Sequence, residues 1–261
     1  MKLTSLTALL LLAGAALPAA AQDAIRCTLL VDAVTGKTLV REGQCDRRVT
    51  PASTFKVALS LMGYDAGILV DERTPLLPFR EGYVDWLPEW RTATDPAAWM
   101  QQSVVWYSQQ VSTRLGTERF QSYLDRFDYG NRDASGNPGK QDGLTQAWLG
   151  SSLKISADEQ AVFLRKLVSR TLPVSGKAVD MTTKVMRYPR LRNGWELYAK
   201  TGSGAEPGSL PHGWLVGWTS DGKRTVVFAR LVQDAQRENV RAGLRVRDAF
   251  IKELPELLER P

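Results

Sequence analysis

Residues 195–233 read WELYAKTGSGAEPGSLPHGWLVGWTSDGKRTVVFARLVQ. Three strands are legible in this stretch. Trp195 to Lys200 is one, Gly213 to Thr219 the second and Arg224 to Gln233 the third, with β-branched side chains at Thr225, Val226, Val227 and Val232. Ser220-Asp221-Gly222-Lys223 carries a hairpin signal, so the last two strands run antiparallel. Outward from here, Glu238 to Glu259 is patterned as an amphipathic terminal helix. Near the other end, Ile25 to Asp32 and Lys37 to Arg41 read as two more strands around a Thr35-Gly36 turn.

The middle is different. Pro51 opens a helix with Phe55, Ala58, Leu59 and Met62 at helical spacing, and Gly63 and Gly67 mark its end. Residues 101–127 keep a helical pattern, and Ser156-Ala157-Asp158-Glu159 is a capping box that starts another helix. Residues 72–100, rich in Pro, Trp and Asp, read as loop with short helix, and residues 136–143 as polar loop. Strands at both ends and helices between them predict an α/β (α+β) fold with one antiparallel sheet. A mostly helical lobe, 51–190, is inserted into a sheet lobe made of 22–50 and 191–261, the whole forming a single domain over 22–261. The cleft is expected where the lobes meet.

The first residues read as a targeting signal. Lys2, the apolar run Leu6 to Leu12 broken only by Thr7, Pro18 and then Ala19-Ala20-Ala21 have the three-part form of a secretory leader, with cleavage expected after Ala21. The run is too short to span about 30 Å of hydrocarbon. A periplasmic or secreted protein, free of the membrane after cleavage, is expected. In that oxidising compartment Cys27 and Cys45 are expected to form a disulfide, and closing the short loop contributes about 3 kcal/mol in the chain-entropy picture. The net charge of the 261-residue chain is +6, or +5 without Lys2, and its basic residues are scattered among acidic ones. No Lys/Arg cluster alternates with aromatics, which argues against nucleic acid as a partner. The single histidine, His212, lies in Pro211-His212-Gly213 and reads as a loop residue; with no His pair and no Cys-x-x-Cys, a metal site is not expected.

Hydrolytic chemistry without a histidine base needs another activator, and Ser-x-x-Lys supplies one. It occurs at Ser53–Lys56 and again at Ser151–Lys154. Ser53 follows Pro51-Ala52 at a helix start, where residues three apart share a face and the helix end favours a developing anion. Ser151 leads toward the capping box through a segment read as extended, where residues three apart face opposite sides, so that pair is rejected. A solvated lysine is charged and cannot take a proton. Burial beside Phe55 and Val57 disfavours the ammonium form. The resulting amine either acts directly or reacts with carbon dioxide to give a carbamate. A serine cap followed by a solvated lysine is the plainer alternative. Ser103-Val104-Val105 and Lys200-Thr201-Gly202-Ser203 complete the pattern. Lys200 offers charge to an anionic group, and the Ser53 and Ser203 backbone N–H groups are the candidate oxyanion hole. Each tripeptide is weak alone; in this order and spacing the three form a joint signal.

The chain resembles the active-site serine β-lactamases and penicillin-binding proteins, with the class D β-lactamases (oxacillinases) as the nearest match over nearly the whole mature chain. Pro51-Ala52-Ser53-Thr54-Phe55-Lys56 is similar to the nucleophile helix, and Ser103-Val104-Val105 to the Ser-x-Val motif. Tyr129-Gly130-Asn131 is similar to the Tyr-Gly-Asn loop, and Trp148-Leu149 with Leu153-Lys154-Ile155-Ser156 to the tryptophan-bearing loop. Lys200-Thr201-Gly202 and Gly213-Trp214-Leu215-Val216-Gly217-Trp218 are similar to the sheet motifs. The resemblance implies a β-lactamase/transpeptidase-like fold, its sheet flanked by N- and C-terminal helices. It implies Ser53 as nucleophile, Lys56 as an N6-carboxylysine base for both half-reactions, Ser103 as proton relay, Val105 as the group that keeps Lys56 dry, and Trp148 as indole donor to the carbamate. Lys200, Thr201, Gly202 and an arginine bind substrate. Among Arg241, Arg245 and Arg247, Arg247 before Asp248-Ala249-Phe250 fits the pattern best, and its planar fork suits a carboxylate. No metal or other cofactor is implied beyond the carbon dioxide-derived carbamate. The implied partner is a small-molecule β-lactam, with monomer and homodimer both open. A D,D-peptidase acting on peptidoglycan stems, and a sensor that is acylated without turnover, are the rival activities. Trp86, Trp90 and Trp99 carry no assigned role and are expected in core or loop packing.

Overall fold

The structure is a computed structural model that describes residues 25–259. The leader and the helix expected on the N-terminal flank lie outside the described residues. Six strands form one sheet: β1 Arg26–Asp32, β2 Thr38–Gly43, β3 Arg187–Tyr188, β4 Glu196–Gly204, β5 His212–Ser220 and β6 Thr225–Gln233, in the order β2-β1-β6-β5-β4-β3. Every pairing is antiparallel. The described residues also form eight α-helices, α1 Lys56–Asp65, α2 Pro96–Gln102, α3 Val105–Leu115, α4 Thr117–Phe127, α5 Gly143–Gln146, α6 Ala157–Val168, α7 Gly176–Val185 and α8 Ala242–Leu258, and two short 3-10 turns, Ala52–Phe55 and Pro88–Trp90.

The central strands read as nearly continuous apolar runs because both faces of the sheet are covered. Alternation still assigns each side chain to a face. Leu29, Val31, Trp214, Val216, Trp218, Val227, Ala229 and Leu231 pack toward the helical segment. Their neighbours Leu30, Leu197, Ala199, Leu215, Val226 and Phe228 pack with Val246, Phe250 and Leu254 of α8. By the same alternation, Lys200 and Gly202 follow Tyr198 onto the helical side, where the cleft lies. The Cys27–Cys45 disulfide is formed and ties the start of β1 to the turn after β2. A loop of this length contributes about 3 kcal/mol in the chain-entropy picture.

Several local readings change. The helical pattern of 101–127 is three helices, because Ser103 caps α2 in the left-handed region at φ 65° and Gly116 breaks the chain again. Lys200-Thr201-Gly202 lies within β4 rather than at its end. The two-residue strand β3 was too short to carry any periodicity. His212 is not a loop residue: it opens β5, is buried, and sits with Nε2 2.9 Å from the Thr50 carbonyl oxygen. A carbonyl only accepts, so Nε2 carries the proton.

Candidate active site

The site is built where the turn before α1 meets the edge of β4. Ala52 to Phe55 form a single 3-10 turn, entered through Ala52 at φ 49°, and Lys56 begins α1. The turn sets Ser53 and Lys56 on one side, with Lys56 Nζ 3.2 Å from Ser53 Oγ. Lys56 is only 1% exposed, while Ser53 is half-buried and faces the cleft. Burial first, and then the charge of Lys200, pushes the Lys56 amine well below its ordinary value. Phe55 stacks on Trp148 with ring centroids 5.1 Å apart, so the tryptophan packs on the residue that precedes Lys56 in the chain.

Ser103 reaches the cleft because its left-handed backbone turns the chain between α2 and α3. A non-glycine residue in that conformation is uncommon and marks a constrained position. Val105, the first residue of α3, is buried and presents only carbon to the same cleft.

β3 pairs β4 only at Leu197 and Tyr198, so from Lys200 onward the outer edge of β4 turns to the nucleophile turn instead of a strand. The approach is close: a Cβ on Gly202 meets the Pro51 carbonyl oxygen at 2.9 Å and Thr54 Cγ2 at 3.0 Å. On the other flank, a Cβ on Gly243 meets the Gly202 oxygen at 2.3 Å, and the Gly243 N–H donates to Ser203 Oγ at 2.9 Å. Ser203 is thereby held between the start of α8 and Ser53. Lys200 is buried, its Nζ donating to Thr201 O at 3.2 Å and Thr201 Oγ1 at 3.3 Å. Burial, then Arg241 and Arg247, lower its pKa to about 7.

Ser53, Ser103, Val105, Thr201, Ser203, Arg241 and Arg247 line one cavity of about 350 Å³. Of the three arginines, Arg245 turns away to Asp234 at 2.5 Å, while Arg241 and Arg247 both face the cavity and Arg247 Nε is held by Asp248 at 2.8 Å. The second Ser-x-x-Lys is not a site: Lys154 pairs with Glu206 at 2.8 Å. A second cavity of about 380 Å³, walled by Ala52, Ala205, Pro211 and Val240, shares Trp86, Leu149, Ser203 and Arg241 with the first. Trp99 is a core residue and Trp90 is buried in the wall of the first cavity, but Trp86 is 65% exposed and stands at the junction of the two. Composition gave no means of separating these three tryptophans; only the fold does.

Residues 26–256 match the family described as the penicillin binding protein transpeptidase domain. The chain is 42% identical to the beta-lactamase OXA-9 of Klebsiella pneumoniae over 245 residues, 90% of this chain and 89% of that protein. It is 41% identical to the beta-lactamase OXA-1 of Escherichia coli over 199 residues, 74% of this chain and 70% of that one. The crystal structure of the class D β-lactamase OXA-427 superposes with a TM-score of 0.85 at 48% identity, covering 90% of this chain and 98% of that chain. Within the transpeptidase-domain proteins, the chain belongs to the class D serine β-lactamases.

Proposed function

We propose that this protein hydrolyses β-lactams through an acyl-enzyme on Ser53, with Lys56 as the base in N6-carboxylated form. The carrying observation is a buried amine, its pKa pushed well below the ordinary value by that burial, 3.2 Å from a serine oxygen that opens on the cleft. The neutral amine attacks carbon dioxide; an N–C bond forms, one N–H proton leaves to solvent, and a carbamate anion remains. Val105 excludes water from it, and the Trp148 indole N–H donates to it. Both residues are buried, Val105 lining the cleft and Trp148 stacked on Phe55.

Ser53 Oγ then attacks the lactam carbonyl while the carbamate takes its proton. The Ser53 and Ser203 backbone N–H groups receive the developing oxyanion. Ser103 relays to the ring nitrogen the proton that the carbamate took from Ser53, as the bond from nitrogen to the carbonyl carbon breaks, and the carbamate is an anion again. Water, deprotonated by the same carbamate, attacks the ester and frees Ser53, which regains its proton. Lys200, Thr201, the Gly202 edge and the guanidinium groups of Arg247 and Arg241 hold the substrate carboxylate. Anions arriving on both sides of Lys200, carbamate and substrate, favour its ammonium form, so its charge develops as the site fills. The second cavity receives the acyl side chain of the substrate, against Trp86 and Leu149.

The disulfide suits action in an oxidising compartment after export, where such turnover gives resistance to β-lactam antibiotics. The test is turnover of nitrocefin, penicillins and a D-Ala-D-Ala stem peptide, with and without added bicarbonate. Multiple turnovers of the lactams, faster with bicarbonate, are expected. Release of D-Ala without lactam turnover assigns a peptidase, and a persistent acyl adduct on the wild type assigns a sensor; either result overturns the proposal.

A further inference from the structure

Thr50, outside the catalytic motifs, has every polar atom engaged. It is fully buried. Its carbonyl accepts from Trp214 Nε1 at 3.1 Å and from His212 Nε2 at 2.9 Å, both on β5. Its N–H donates to Glu206 at 3.2 Å, and the other oxygen of that carboxylate holds Lys154. These are main-chain bonds that any non-proline residue here makes. The hydroxyl is different. Thr50 Oγ1 donates to the Trp148 carbonyl at 2.7 Å and accepts from the Gly150 N–H at 3.1 Å. One oxygen thus closes the Trp148–Gly150 turn onto the chain just before Pro51, three residues ahead of Ser53.

We infer that Thr50 is a positioning residue whose hydroxyl holds the Trp148 loop against the nucleophile turn and so sets how tightly the site retains the carbamate. Glycine suits the turn, since Gly150 sits at φ 106° and an added Cβ there would meet the Ala205 oxygen at 2.7 Å. Removing the hydroxyl takes this partner from the buried Trp148 carbonyl and from the half-buried Gly150 N–H. The loop relaxes to recover those bonds, and the indole above Phe55 moves with it. Thr50 touches neither substrate nor the reacting atoms. Its effect therefore falls on carbamate occupancy, while KM is spared.

The inference rests on the carbamate proposed above, and the experiment separates the two. Thr50→Val and Thr50→Ser are titrated with sodium bicarbonate, following nitrocefin turnover and the carbamate signal by carbon-13 NMR with labelled bicarbonate. Thr50→Val is expected to need roughly tenfold more bicarbonate for half-maximal kcat, the scale of one buried hydrogen bond. Its KM stays within about twofold. Thr50→Ser restores the wild-type response. In a Trp148→Phe background the Thr50→Val effect disappears, because the path through the indole is already cut. Should the valine variant not fold, Thr50→Cys, with its weaker donor, carries the same comparison. A wild-type carbamate signal with a folded Thr50→Val or Thr50→Cys variant titrating like wild type overturns this inference alone. Absence of any carbamate in the wild type overturns the carbamate reading and this inference with it.

Discussion

Gly202→Ala tests whether β4 is pressed against the nucleophile turn as tightly as the structure has it. The added methyl meets the Pro51 oxygen at 2.9 Å and Thr54 Cγ2 at 3.0 Å, against 3.4 Å for ordinary contact. The shortfall is about 0.5 Å, and neither neighbour yields easily. Pro51 presents backbone, and Thr54 is buried with its hydroxyl bonded to Pro51 O at 2.7 Å and to Gln160 Nε2 at 3.0 Å. The strand must therefore retreat, carrying Ser203 away from Ser53. Complete loss of an oxyanion donor costs about 10²–10³ in kcat. A retreat of half an ångström lengthens the contact without abolishing it, and about tenfold is expected, since 1 Å of misplacement costs about 100-fold. Overpacking also destabilises by about 2 kcal/mol, which lowers Tm by roughly 4–8 °C in a chain of this size. Stopped-flow acylation by nitrocefin and thermal unfolding measure the two effects. A Gly202→Ala variant with wild-type acylation and wild-type Tm would refute the packing on which the oxyanion assignment depends.

Trp86→Ala is expected to raise KM severalfold for substrates with bulky aromatic side chains and to leave small-side-chain penicillins nearly unchanged, as steady-state kinetics across such a pair would show. Arg241→Ala and Arg247→Ala should each raise KM about tenfold, the scale of one charged hydrogen bond, with smaller changes in kcat; a variant that leaves KM unaltered takes that arginine out of carboxylate binding. Lys200 has a folded pKa lowered to about 7, so between pH 7 and its unfolded value near 10.5 the unfolded chain binds more protons and stability rises with pH. Urea unfolding of Lys200→Met should accordingly show a flatter rise over that window than wild type, and an identical slope would contradict the burial of that charge.

Much of the sheet was readable because hairpin signals and β-branched runs fix β5 and β6 locally, and the start of α6 was readable because the Ser156 capping box forms as its spacing requires. What escaped was set by tertiary context. Ser103 adopts a left-handed backbone that no serine prefers, and so the helical pattern of 101–127 breaks between α2 and α3, with the site at that break. His212 looked like a turn residue between Pro211 and Gly213, yet β5 begins there and buries it against Thr50. The cleft-facing arginines could not be separated by spacing, since Arg241 precedes α8 and only the helix's docking on β4 brings it beside Lys200. Ser53 and Lys56 were legible because a contact three residues apart depends on one helical turn and little else.

Lys56 is the base on which both half-reactions turn, and intact-mass spectrometry of Lys56→Ala mixed with a penicillin tests that role directly. Wild type should return to its unmodified mass as substrate is consumed, whereas Lys56→Ala should acylate slowly and then retain the adduct on Ser53. Rapid repeated turnover by Lys56→Ala, with no adduct, would contradict the assignment.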